Sequence, residues 1–89
     1  MKAIEVFISG VVQGVGFRYF TVKVARELGI KGYVKNLADG RVYIYAIGEE
    51  EALEKFLANV RKGPPLAVVR DVIVKSAPIQ ECEKFEVRR

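Results

Sequence analysis

The stretch Ile4-Glu5-Val6-Phe7-Ile8-Ser9-Gly10-Val11-Val12-Gln13-Gly14-Val15-Gly16-Phe17-Arg18 contains, in order, a strand, a glycine-rich loop and the first turn of a helix. Ile4, Val6 and Ile8 alternate with Glu5, Phe7 and Ser9, the period of two that a half-buried strand requires. Strand one therefore covers Ala3 to Ser9. From about Phe17 the spacing changes: Phe20, Val24 and Leu28 recur at helical intervals and stop at Gly29, a residue suited to the position just past a helix end. Helix one follows the loop.

Outward from this unit, Ile30 to Leu37 reads as extended, and Ala38-Asp39-Gly40 supplies turn chemistry. In Arg41 to Ile47, Val42, Ile44 and Ala46 alternate with Tyr43 and Tyr45, so strands two and three form a hairpin. Glu49, Glu50 and Glu51 suit the positive end of a helix dipole, and Ala52, Leu53, Phe56, Leu57 and Val60 mark one apolar face before Gly63-Pro64-Pro65 ends the run. Val68 to Lys75 is rich in β-branched residues, and Phe85 with Val87 predicts a short edge strand after Pro78. The order strand, helix, strand, strand, helix, strand is the split βαβ pattern. It predicts an α+β, ferredoxin-like α/β sandwich with two helices on one face of an antiparallel sheet. At 89 residues, with no repeat, low-complexity tract or linker, one domain over 1-89 is expected.

The chain has no histidine, which removes the commonest general base and metal ligand. A lone Cys82 excludes an intrachain disulfide and a multi-cysteine metal cage. No apolar run approaches the roughly 18 to 20 residues of a membrane span, and Glu5 interrupts the stretch where a signal peptide would continue. A cytoplasmic monomer is expected. A formal net charge of +4 favours an anionic partner. Asn, Gln, Cys and Met are scarce while Lys, Arg and Glu are plentiful, a bias reported for proteins that work at high temperature, so a thermophilic source is expected.

Chemistry concentrates in Gly10-Val11-Val12-Gln13-Gly14-Val15-Gly16-Phe17-Arg18. Glycines let consecutive N–H groups converge on one anion, and the helix start adds unpaired donors and a positive dipole end. Arg18 supplies a permanent charge in a planar fork that bonds two phosphate oxygens at once. The competing explanation is purely geometric, since glycine-rich turns between a strand and a helix are common. A P-loop would need Gly-Lys-Ser or Gly-Lys-Thr at its end, and the dinucleotide fingerprint would need a glycine where Tyr19 stands; neither applies. Asn36 sits near the end of strand two, where asparagine is disfavoured. Its amide, both donor and acceptor, could orient a water or could simply bond the backbone of its own turn. Spacing does not establish whether Asn36 meets the loop.

Residues Ile8 to Arg18 closely resemble the first signature of the acylphosphatase family, and Gly32-Tyr33-Val34-Lys35-Asn36-Leu37-Ala38-Asp39-Gly40-Arg41-Val42 followed by Gly48 resembles the second. The resemblance runs from strand one to the final strand. It implies hydrolysis of the carboxyl-phosphate bond of acyl phosphates to a carboxylate and inorganic phosphate by direct water attack. Arg18 then matches the phosphate-binding arginine, Asn36 the water-orienting asparagine, and Gly10, Val11, Val12, Gln13, Gly14, Val15, Gly16 and Phe17 the phosphate cradle. Leu37 departs from the pattern, because many animal members carry there a hydroxyl residue that assists the water or product release. No metal or cofactor is required on this reading, since a carboxylate leaving group with a pKa of about 4 departs without a proton. Phosphoryl transfer is then chiefly a matter of positioning and charge stabilisation.

Two rival readings remain. RNA-recognition domains share this element order and place aromatics on central strands, as Phe7, Tyr43 and Tyr45 would be placed here. Against this, strand three lacks the basic-Gly-aromatic-Gly-aromatic motif and Glu5 shares the face, so no nucleic-acid partner is expected and the aromatics are read as cover for an otherwise open sheet. The second rival is a non-catalytic acyl-phosphate binding module, like the acylphosphatase-like domains that begin some larger maturation proteins. Small acyl phosphates and inorganic phosphate are the expected partners, and no membrane partner is expected.

Overall fold

The computed structural model describes Met1–Arg89. Its elements are β1 (Lys2–Val11), α1 (Phe17–Glu27), β2 (Lys31–Asn36), β3 (Val42–Gly48), α2 (Glu50–Lys62), β4 (Val68–Ser76) and β5 (Phe85–Val87). The strands form one sheet in the order β4-β1-β3-β2-β5. β1 runs antiparallel to both β3 and β4, and β2 antiparallel to β3. The expected split βαβ arrangement is present, with one addition: the edge strand β5 lies parallel to β2, which makes the sheet mixed. Two backbone bonds flank this pairing, Gly32 N–H to Lys84 C=O at 3.1 Å and Arg88 N–H to Val34 C=O at 2.9 Å.

The alternation along each strand separates two apolar clusters. Val6, Ile8, Val34, Val42 and Ile44 face the helices and pack with Phe17, Val24, Ala25, Leu53, Phe56 and Val60. Phe85 closes this core from β5, its ring 6.0 Å from that of Phe56. On the other face Ala3, Tyr33, Tyr45 and Ile47 form a smaller cluster, with Tyr43, Ala77 and Cys82 packed against it. The Tyr45 hydroxyl donates to Pro78 C=O at 2.6 Å and accepts from Gln80 N–H at 2.7 Å, so the segment between β4 and β5 lies over it. Tyr43 donates its hydroxyl proton to Glu5 at 2.7 Å. Burial, then the bond to Glu5, push its phenol above the ordinary range.

β1 is longer than its sequence pattern predicts. A bulge between Ser9 and Gly10 shifts the register, and the strand continues with Gly10 opposite Val69 and Val11 opposite Val68. Gly10 has φ 128°, and a Cβ there would lie 2.0 Å from Val68 C=O; only glycine lets the two backbones come so close. The bulge adds twist and redirects the chain toward the helix side.

Candidate active site

The register settles whether Asn36 meets the loop. Ile8 stands opposite Val42, and Val42 opposite Asn36, so the three form one row across the sheet. Asn36 falls on the same face as Val34, two residues away, and that face is covered by the helices. The loop from Val12 to Gly16 begins just beyond the same end of β1. Both therefore border one cleft of about 440 Å³, lined at this end by Val12, Gly14, Gly16, Phe17, Arg18 and Asn36. A water's share of liquid volume is about 30 Å³, so the cleft has room for a phosphoryl group, a short acyl chain and an attacking water.

Gly14 and Gly16 hold positive φ values of 75° and 80°, with open space where a side chain would stand. They are needed for backbone conformation rather than for close approach. Gly16 is also the N-cap of α1 and is left-handed, with no side-chain cap. No backbone N–H from Val12 to Tyr19 donates a hydrogen bond within the protein, although polar groups of this kind normally find partners.

The two helix starts differ in charge. α2 carries Glu50 and Glu51 in its first turn, opposite in sign to the positive dipole end. α1 carries no acid there and has Arg18 at its second position. A cation at that end is repelled by the dipole, and an anion bound between them relieves the repulsion. Arg18 takes part in none of the protein's ion pairs, which join Met1 to Glu49, Lys2 to Glu50, Arg41 to Asp39 and Arg88 to Glu86.

Asn36 Oδ1 is buried and has no partner. The turn after it closes without its side chain: Leu37 N–H donates to Arg41 C=O at 2.8 Å, and Gly40 N–H to Leu37 C=O at 3.2 Å. Asp39 accepts from Arg41 N–H and Nε–H at 3.1 and 2.8 Å, which holds its carboxyl below the usual carboxylate range. The alternative reading, in which Asn36 serves as a turn former, therefore has no bond to rest on. A half turn of the amide exchanges the atom that faces the cleft, so donor and acceptor are both free for a water.

Not every residue expected at the cradle lines the cleft. Gly10 and Val11 belong to β1, paired with β4. Val15 is packed against the core from its edge. The Gln13 side chain points the other way, its Nε2 donating to Leu37 C=O and to Arg41 C=O, both at 2.9 Å. It ties the loop to the turn that carries Asn36. Conversely, the sequence reading omits Tyr19, Val22, Arg26, Val87 and Arg89, which line the rest of the cleft. Helical spacing from Arg18 contains part of this signal, because Val22 and Arg26 follow at four-residue steps. The residues from and beyond β5 could be placed only once its parallel pairing was known.

The lining contains no Asp or Glu, and nowhere in the chain do three His, Cys, Asp or Glu side chains cluster as metal ligands would. No helix is long and apolar enough to cross a membrane.

Comparison with known proteins agrees with this fold. Residues 4–87 match the Acylphosphatase family model. An acylphosphatase of Archaeoglobus fulgidus is 70% identical over 87 residues, covering 98% of each chain. One of Thermotoga maritima is 52% identical over 88 residues, covering 99% of this chain and 98% of the relative. The crystal structure of acylphosphatase from Bacillus subtilis superimposes with a TM-score of 0.97 at 38% identity, each chain covered completely. With one sheet topology, one loop and full-length likeness pointing the same way, the chain belongs to the acylphosphatase family and is an enzyme that hydrolyses acyl phosphates.

Proposed function

We propose that hydrolysis proceeds by direct attack of water on phosphorus, with the phosphoryl group held by Arg18 and by the loop N–H groups between Val12 and Phe17, and the water oriented by Asn36. The observation that carries this reading is the convergence in one cleft of an unpaired guanidinium, a run of uncommitted N–H donors and a carboxamide with an orphaned oxygen. The P–O bond to the acyl group breaks as the new P–O bond forms. The leaving carboxylate takes the electron pair, and the water's proton passes to a phosphoryl oxygen of the substrate. The fork of Arg18 and the N–H donors stabilise the charge spread over the equatorial oxygens. No general acid is needed, because the carboxylate leaves as a stable anion.

The reaction is independent of metal on this account. The cleft presents donors and cations but no acidic side chain, the set that binds an anion directly rather than through a divalent ion. Turnover of acetyl or benzoyl phosphate is expected to persist in excess chelator, with inorganic phosphate competing for the loop and shifting the amide signals of Gly14 to Arg18. Loss of activity that returns only with a divalent ion would overturn the metal-free mechanism.

The nucleic-acid reading is not supported by the opposite face. Tyr45 is fully buried. The other rings lie under the chain's own cations: Arg41 at 5.0 Å and Lys75 at 5.6 Å from Phe7, Lys35 at 5.5 Å from Tyr43, and Arg88 at 3.9 Å from Tyr33. Base stacking would have to displace these contacts. A purely binding role would leave the orphaned oxygen of Asn36 without use.

A further inference from the structure

The start of α1 is held from inside the core rather than by a cap. Its N-cap, Gly16, offers no side chain to the first turn. A Ser, Thr, Asp or Asn there would bond the N–H of the second or third helical residue, here Arg18 or Tyr19, and so use up donors that the cleft keeps free. On the core side, the Phe17 ring is buried and lies so close to Gly63 that a Cβ on that glycine would stand 3.1 Å from it. Thr21 is fully buried and, tyrosines apart, is the one buried polar residue of the chain. Its Oγ1–H donates to Phe17 C=O at 2.8 Å. That carbonyl is the one the Thr21 N–H bonds in any α-helix, so the hydroxyl is not required to satisfy it. A helical threonine commonly makes such a bond, slightly to the cost of the helix. Valine would fill the same space with no polar atom to bury, so packing alone does not explain a hydroxyl at this position.

We propose that Thr21 is a positioning residue for the hydrolysis, holding the peptide unit between Phe17 and Arg18 so that the Arg18 N–H donates to the phosphoryl group beside the arginine's own side chain. The peptide unit is a rigid plane with its C=O and N–H on opposite sides. In the first turn of α1 the Phe17 carbonyl points along the axis to Thr21, and the Arg18 N–H points out of the helix start, where it donates to nothing in the protein. Fixing one end of the plane fixes the other. A hydrogen bond donated to the carbonyl also polarises the amide, which makes its N–H a stronger donor. The hydroxyl therefore orders the first turn from its acceptor side and leaves every donor free, which a side-chain cap could not do. This rests on the assignment of the phosphoryl group to Arg18 and the loop.

Thr21→Val and Thr21→Ser separate this role from packing. Valine keeps the shape and loses the hydroxyl; serine keeps the hydroxyl and loses the methyl. Thr21→Val is expected to melt at or above the temperature of the unaltered enzyme, yet to lose roughly five- to tenfold in kcat/KM on acetyl phosphate, less than the loss of a direct contact because the N–H itself remains. Thr21→Ser should melt lower, through the gap left in the core, and keep near-native kcat/KM. Near-native turnover of Thr21→Val, or losses in both variants that follow their melting temperatures, would overturn the proposal. Titration of the unaltered enzyme with inorganic phosphate needs no variant: the Arg18 amide proton should move downfield together with the loop amides. A silent Arg18 amide among shifting loop amides would also overturn the proposal. A loop silent throughout would instead sink the phosphoryl assignment on which it rests, so the two failures are distinguishable.

Discussion

On the helix side of the sheet, the start of α1 leaves N–H groups, the Arg18 guanidinium and the Asn36 carboxamide without partners. On the opposite face, the Tyr45 hydroxyl is bonded twice, the Tyr43 hydroxyl is bonded to Glu5, and Lys or Arg side chains lie over the Phe7, Tyr33 and Tyr43 rings. Both regions combine cations with groups attractive to a ligand, so composition alone does not separate them. The difference lies in whether the protein has already used its own donors and acceptors. Where it has, substitutions are expected to change stability; where it has not, they should change chemistry.

The largest effect is expected for Arg18→Lys. It keeps the charge but loses the bidentate fork, and kcat/KM on acetyl phosphate should fall by roughly a hundredfold or more. Steady-state kinetics beside a thermal melt would show whether the loss comes without unfolding. A near-native kcat/KM would erase the distinction between the two regions.

Gln13→Ala sharpens the comparison beside the cleft, since the hydrogen bonds of this side chain go to the Leu37 and Arg41 carbonyls. Its loss frees the turn that aims Asn36, and a small misplacement of a positioned group is costly. A fall in kcat of about tenfold is expected, with the phosphate inhibition constant nearly unchanged. If phosphate affinity falls instead, Gln13 belongs with the cradle rather than with the water.

On the closed face, Tyr45→Phe leaves Pro78 C=O and Gln80 N–H without their partner. The expected cost is about 1 to 2 kcal/mol of stability, a drop in Tm of roughly 4 to 8 °C per kcal/mol for a domain of this size. Turnover below the melting range should not change. A kinetic defect there would mean that the aromatic face communicates with the cleft.

Much of the fold was legible in the sequence because the two apolar periods, two for strands and 3.6 for helices, are local properties of the chain. Arg18 was legible too, since the loop and the helix start that present it are adjacent in sequence. What escaped depends on pairing between distant segments. The bulge at Gly10 comes from its approach to Val68 in β4, so Gly10 and Val11 read as loop when they extend the strand. The Gln13 side chain bonds residues 24 and 28 positions away. Asn36 reaches the loop only because β3 stands between β1 and β2. Arg89 reaches the cleft through β5, whose three residues carry too little pattern to reveal a parallel partner.

The central claim is that the phosphoryl group and the water are held by different groups, and Asn36→Ala tests it most directly when turnover and phosphate titration are measured on the same folded sample. The account predicts a fall in kcat of roughly a hundredfold or more, the cost of one positioned hydrogen-bonding group in a catalytic site, with phosphate affinity nearly unchanged. Weakened phosphate binding with an unaltered kcat would contradict it, moving Asn36 from the water to the substrate.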